Sequence, residues 1–347
     1  MKSISKLSVA AAAAMTSLWA AQTAMACATC GCALSSEAAM GYGAGPGWLL
    51  SAEFNYINQN QLRYGSGAIS QAQVGSLNPG ANQEVENDTI NRYTTFGVAY
   101  SPDASWNFRL LLPYIDRSHS SYGAATDPIT PDQLSSAKVT GLGDIKLIGS
   151  YQGFLPTHNL GLQLGVKLPT GNYGGMTASG TVVGSHPVYF GSAGNNGGQL
   201  LDTSLQAGNG STDVIVGAYY FQAVSQDLDA FVNGQFQTSI AQKLDQAGGN
   251  FRPGNAANVS LGLRYEADPH LVPQLQLNLT HKTADQGALA DTIDTAGTVA
   301  YLSPGVTAAV GAGAHVYAFL QLPVYSHLQG YQLFPRWTAT VGVTMGF

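Results

Sequence analysis

Cysteine is absent from the chain after Cys32, and charge is scarce throughout: of 347 residues, 14 are Lys or Arg and 20 are Asp or Glu. Charged residues make up 10% of the chain, where a soluble domain carries about a quarter, so little of the surface is built to face water. A net charge of −6 with no basic stripe argues against nucleic acid as a partner. The long cysteine-free body cannot be a disulfide scaffold. Beyond the first 26 residues, no run approaches the roughly 20 apolar residues of a spanning helix. Any crossing of a membrane must therefore use strands.

What is present begins with a leader. Lys2 and Lys6 precede the apolar stretch LSVAAAAAMTSLWAA, and Ala24-Met25-Ala26 offers the small residues of a cleavage site, which reads as a signal peptide over residues 1–26. Residues 27–46 then form a short periplasmic segment that holds Cys27, Cys30 and Cys32. Three thiols cannot all pair within one molecule, and three readings stay open. The thiolates can hold a soft ion, copper or zinc, or meet a periplasmic metal or redox partner. Cys27 can form a simple disulfide with Cys30 or Cys32, or it can carry a lipid as the first mature residue. Haem attachment is disfavoured, because Gly31 and not His follows Cys30.

Residues 47–347 read as strands. In PQLQLNLTHK, Leu275, Leu277 and Leu279 fall on one face, with Gln274, Gln276, Asn278 and Lys282 on the other. Trp106, Phe108, Leu110, Leu112 and Tyr114 alternate in the same way with Asn107 and Arg109, and Val259, Leu261, Leu263 and Tyr265 alternate with Asn258, Ser260 and Arg264. About twelve such segments occur, near 47–59, 89–101, 104–115, 142–153, 158–169, 211–223, 227–240, 256–267, 271–283, 298–308, 313–324 and 335–347. Long Gly/Asn-rich links at 60–88, 116–141, 170–210, 241–255 and 284–297 alternate with tight turns such as SPDA, VSQD and ADPH, and 325–334 is a link of middling length. Short turns on one side and long loops on the other mark an outer-membrane barrel. The fold expected is all-β: a transmembrane antiparallel β-barrel of about twelve strands, embedded in outer-membrane lipids and closed so that no strand edge meets hydrocarbon. The chain ends on Phe347, the kind of aromatic terminus that barrel-assembly machinery reads. Tyr100, Trp106, Tyr114, Tyr151, Phe154, Tyr265 and Trp337 fall at strand ends, where an interfacial girdle belongs.

The stretches GLGDIKLIGSYQ, LGLQLGVKLPTGNY, LQAGNGSTDVIVGAYY and YLSPGVTAAVGAGAHVYAFLQLPVY resemble the outer-membrane transporter family labelled as the MetA pathway of phenol degradation. That resemblance implies passage of aromatic or other apolar small molecules. The Cys-x-x-Cys-x-Cys lead is not part of it.

The inward faces carry Glu53, Arg109, Asp144, Lys146, Lys167, Arg264, Glu266 and Lys282. Both signs are present, so these side chains either line a polar path for a small-molecule solute or pair across a filled interior. Catalysis has no local signature: the seven histidines are scattered singly, with neither HExxH nor His-x-His, and no glycine run closes as a phosphate loop. The expected function is a channel or transporter for small solutes. Two alternatives are a metal-handling or redox-partner protein that uses the cysteines, and a structural barrel that sheathes a periplasmic partner.

Overall fold

A computed structural model of the chain describes residues 45–77, 84–123, 129–311 and 313–347. In chain order the elements are β1 (Gly47–Gly65), β2 (Gly67–Ala68), a short helix α1 (Gln71–Leu77), β3 (Glu86–Ser101), β4 (Trp106–Ser121), β5 (Ser135–Leu142), β6 (Ile145–Tyr151) and β7 (Leu160–Leu168). They continue with β8 (Tyr173–Met176), β9 (Val182–Ser185), β10 (Ser211–Ala223), β11 (Leu228–Gln242), β12 (Ala256–Tyr265), β13 (Leu271–Lys282), β14 (Gly297–Gly311) and β15 (Ala314–Gly346). No described helix is long and apolar enough to cross a membrane.

Each wall strand pairs antiparallel with its neighbours, in the order β1-β3-β4-β6-β7-β10-β11-β12-β13-β14-β15, and β15 returns to β1 to close the sheet. β5 and β6 both pair with β4, one above the other, and so form a single stave broken at Gly143 and Asp144. β15 has 33 residues, about 110 Å if extended, far more than one crossing needs. It doubles back. Residues from Ala314 to Leu328 pair with β14, and residues from Leu328 to Gly346 pair with β1. The Gly346 amide donates to the Gly313 carbonyl at 2.9 Å, which stitches the two halves together. At the fold-back Gly330 has φ +63, a left-handed conformation that glycine adopts without steric cost. The eleven wall elements thus supply twelve staves.

Burial is inverted relative to a soluble protein. On β13, Leu275, Leu277 and Leu279 are exposed, while Gln276 and Asn278 are fully buried. Leu162 and Leu164 are exposed beside buried Gln163, and Val341, Val343 and Met345 are exposed beside buried Thr340 and Thr344. Only a solvent of hydrocarbon makes this arrangement favourable, since apolar groups then face lipid and polar ones face each other. Aromatic pairs rim the band: Trp48 with Tyr100 at 4.6 Å, Trp106 with Tyr151 at 4.7 Å, Tyr151 with Phe154 at 4.8 Å, and Tyr56 with Trp337 at 5.6 Å. From Trp48 to Tyr56 the strand runs about 26 Å, which at a tilt of about 40° crosses about 20 Å, most of the height of an outer-membrane apolar band. Leu277→Arg on this face is expected to destabilise the barrel by about 2–4 kcal/mol. Urea-driven unfolding in lipid vesicles measures the loss.

Besides the short elements in the links at 60–88 and 170–210, two links are built into the wall itself. Residues from Tyr114 to Ser121 and from Ser135 to Leu142 pair with each other, extending the wall into a stretch expected to be loop. Their outward faces carry Asp116, Ser118, Lys138 and Thr140, and only Ala137 and Val139 mark an apolar period on the inner side. The link expected at 325–334 is strand throughout, because Leu328, Tyr331, Leu333 and Phe334 are buried.

Candidate functional site

The short turns and Phe347 share one end of the barrel, which faces the periplasm, and the long loops gather at the other. The interior differs between these two ends.

At the periplasmic end lies a cavity of about 700 Å³, walled by Arg109, Tyr219, Phe221, Asp229, Phe231, Arg264, Glu266 and His315 among others. The inward face is elsewhere mostly Gln, Asn, Ser and Thr, so aromatic rings there need an explanation. Each of four inward rings lies over a glycine of the adjoining stave. A Cβ on Gly161 would meet the Tyr219 ring at 2.1 Å, one on Gly262 the Phe231 ring at 2.2 Å, one on Gly305 the Phe319 ring at 2.1 Å and one on Gly342 the Tyr317 ring at 2.1 Å. Lying flat on a missing side chain, the rings cover backbone that would otherwise be bare and keep out of the lumen. Tyr219 is fixed further by its hydroxyl, which donates to Gln152 Oε1 at 2.7 Å. Charges in this region are matched locally. Arg264 meets Glu266 at 2.8 Å and sits opposite Asp229 across the β11–β12 pair, while Glu53 accepts from the Tyr317 hydroxyl at 2.6 Å and from Asn55 at 2.9 Å. The wall of the space is mixed, with flat aromatic faces standing among charged and amide groups.

At the outer end the lumen is filled by the loop between β9 and β10. Val188, Phe190, Leu201, Leu205 and Ala207 of this loop pack against inward Ile57, Tyr93, Ile115, Ala137 and Val139 of β1, β3, β4 and β5. The same loop covers the edge of β5 that faces away from β4: the Gly191 amide donates to the Ser136 carbonyl and the Asn195 amide to the Gln133 carbonyl, both at 2.9 Å. Arg117 latches it. Its Nη1 donates to the Leu205 carbonyl at 2.5 Å and its Nε to Asn91 Oδ1 at 2.7 Å, with Nη2 on the Tyr93 hydroxyl.

Beside this plug stands a group of carboxylates from three segments: Glu84 and Glu86 at the start of β3, Asp202 in the plug, and Asp291 and Asp294 in the β13–β14 loop. Glu84 accepts from Ser121 at 2.5 Å and from Asn196 of the plug at 2.7 Å, and Asp294 accepts from the Tyr331 amide at 3.0 Å. Burial and then Asp291 push Asp294 up to about 7, against the lowering effect of the Tyr331 amide.

The eight inward residues expected from sequence fall into two kinds of place. Arg109, Arg264 and Glu266 wall the cavity, and Glu53 joins the Tyr317 group. Lys146 is half-buried on β6. Lys167 and Asp144 are buried together at 3.1 Å, and Lys282 is buried against Asp285 at 2.5 Å. Sequence reasoning missed Asp213, which also meets Lys167 at 3.1 Å, as well as Asp285, Arg117 and the rings on glycine. Each depends on which strand lies beside which, and alternation within a strand carries no such signal. Cys27, Cys30 and Cys32, with the leader and nearly all of the 27–46 segment, lie outside the described residues. Among the described residues no group of three or more His, Cys, Asp or Glu is arranged to hold a metal ion.

The chain matches no protein-family model and no curated protein sequence. Its barrel is similar to that of an outer membrane channel from Pseudomonas putida F1, with a TM-score of 0.59 and 12% identity over 88% of this chain and 98% of that one. Weaker likenesses are the toluene transporter TbuX of Ralstonia pickettii, with a TM-score of 0.44 and 11% identity over 88% and 90% of the two chains, and the toluene transporter TodX of Pseudomonas putida, with a TM-score of 0.43 and 10% identity over 95% and 100%. At these identities the first likeness is one of fold. Together with the inverted burial, it makes the protein a bacterial outer-membrane β-barrel.

Proposed function

We propose that the protein passes small, largely apolar solutes, neutral monoaromatic ones among them, across the outer membrane through the barrel interior. The observation that carries this reading is the periplasmic cavity with Tyr219 and Phe231 laid against glycines of its wall. Flat apolar faces suit a flat apolar solute, and the locally matched charges leave no strong preference for an ion of either sign. The family resemblance of the quoted stretches points to the same solute class. In this reading the outer loop is the closed position of a plug, and its release opens both the lumen and the wall beside β5.

The test is flux of a labelled neutral monoaromatic solute across asymmetric vesicles with lipopolysaccharide in the outer leaflet, because plain phospholipid passes such solutes unaided. The wild-type protein is expected to raise flux several-fold over empty vesicles. Gly161→Ala with Gly262→Ala is expected to remove most of that gain, because each new Cβ drives a ring from the wall into the cavity. Flux equal to that of empty vesicles overturns the reading, and unaltered flux in the double variant removes the cavity from the path.

A further inference from the structure

We infer that one flank of the barrel's outer rim, built by β3, β4, β5 and the closing half of β15, binds the phosphorylated sugar headgroup of lipopolysaccharide, the glycolipid of the outer leaflet. The inference rests on the outer-membrane placement of the barrel and is independent of what the interior passes.

Three cations stand on the lipid side of the wall just where its apolar band ends. On β4 the outward row is apolar up to Tyr114 and then turns to Asp116 and Ser118. On β3 it is uncharged up to Thr94 and turns to Arg92, which lies between Tyr56 of β1 and Asp116. Lys138 of β5 is exposed opposite Ser118. On β15 a bulge adds the third: the buried pairs Ile57 with Thr338 and Gln59 with Pro335 leave Arg336 and Trp337 together against Asn58, and both are exposed. This is the depth of the headgroups, marked by the Tyr56 and Trp337 rings. On the far flank the outward residues at the outer ends of β13, β14 and the first half of β15 are His281, Thr298 and His327. A rim charged only for solubility has no reason to favour one side.

The cations keep donors to spare. Asp116 faces Arg92 at 3.7 Å and Lys138 at 3.6 Å, both longer than the about 2.7–2.9 Å of a charge-assisted hydrogen bond, so one acid positions two cations without consuming them. Arg92 reaches Ser118 only at 3.5 Å. Asp88, farther out on β3, accepts from the Ser120 hydroxyl, and the flank still sets three cations against two carboxylates. From the spacing of strands and pairs, Arg336 and Lys138 each stand about 10–12 Å from Arg92 along the wall. That spread suits an anion with more than one phosphate. Lipid A carries two on a rigid disaccharide, and Tyr56 and Trp337, 5.6 Å apart, offer its sugars a flat face. A phospholipid brings one phosphate on a flexible stem and gains from one cation at a time.

The experiment titrates the full-length protein in detergent, with a chelator, against bisphosphorylated lipid A, the same lipid stripped of phosphate, and phosphatidylglycerol, read by native mass spectrometry. The wild type is expected to hold one bisphosphorylated lipid A about tenfold or more tighter than either comparison lipid. Arg92→Ala/Lys138→Ala/Arg336→Ala should lose about tenfold of that affinity, and Lys138→Ala alone, at a side chain 61% exposed, about threefold. Unchanged affinity in the triple variant overturns the proposal, provided both proteins show the heat-modifiable gel migration of a closed barrel. Should the triple variant fail to close, unchanged affinity in Lys138→Ala overturns it instead. Equal affinity for phosphatidylglycerol also overturns it, making the flank a general anionic-lipid surface. Binding seen only without the chelator does so too, by assigning the contact to a metal ion bridging Asp116 or Asp88. A barrel that binds lipid A in this way and passes no solute would sink the transport reading and leave this one standing.

Discussion

Replacing Arg117 with alanine is expected to open the outer end of the barrel at neutral pH, raising ion conductance in planar bilayers by about an order of magnitude or more over the wild type. Arg117 is 4% exposed and stands between β4 and the plug, with bonds to Asn91 and Tyr93 on the wall and to the Leu205 and Gln206 carbonyls on the loop. Hydrogen bonds from a charged donor contribute about 1.5–3 kcal/mol each, and the orphaned carbonyls would carry a further desolvation cost while the plug stays seated. Losing the latch therefore costs seating on the order of 3 kcal/mol, roughly a hundredfold in the ratio of seated to released loop. Arg117→Lys keeps the charge but not the planar fork that serves several acceptors at once, and should fall between the two. A folded Arg117→Ala barrel that conducts like the wild type would show that the loop is not what closes the lumen.

The faces of the strands are legible in the sequence wherever the environment on the two sides differs. Leu275, Leu277 and Leu279 meet lipid while Gln274, Gln276 and Asn278 meet the interior, and that contrast is written into neighbouring letters. It fades where the wall rises beyond the hydrocarbon. There Ser118, Lys138 and Thr140 meet water on the outside and only Ala137 and Val139 supply apolar letters on the inside, so the paired extension of β4 and β5 reads as loop. The plug is illegible for a different reason. Val188, Phe190, Leu201 and Leu205 are spaced without a period through a Gly/Asn/Ser-rich stretch, and the seat that receives them is assembled from β1, β3, β4 and β5. Glycine's place opposite a ring is hidden in the same way, since Gly262 and Phe231 are neighbours only in the register of β11 with β12. Lys167 and Asp144 could be placed inside from alternation, but the second acid on the same ammonium comes from β10, and only the closed sheet brings it there.

That second acid sets up the other large effect. Lys167→Met is expected to destabilise the folded barrel by about 3–5 kcal/mol, read as a lowered urea midpoint in vesicles. The Lys167 ammonium is the shared counter-charge of Asp144 and Asp213, both at 3.1 Å, and its side chain and theirs are all less than a tenth exposed. Methionine fills much the same volume and removes the charge, leaving two carboxylates enclosed without a cation. Their remaining donors, the Gly171 and Asn209 amides on Asp144 at 3.1 and 3.3 Å, and the Ser211 hydroxyl at 2.5 Å with Gln237 on Asp213, do not neutralise them. The site also joins the β7–β8 link to the end of the plug loop. Gly171, just after β7, binds Asp144, while Asn209 and Ser211, where the plug loop runs into β10, take Lys167 at 2.6 and 3.0 Å. Part of the loss should therefore be local, with faster amide exchange at residues 169–172 and 208–211 than in the wall. Adding Asp144→Asn and Asp213→Asn to Lys167→Met should recover more than half of the lost stability, because three neutral groups of nearly the same shape no longer need one another's charge. If Lys167→Met alone costs under about 1 kcal/mol, the trio is solvated in the membrane-embedded protein and the lumen at this level is wet.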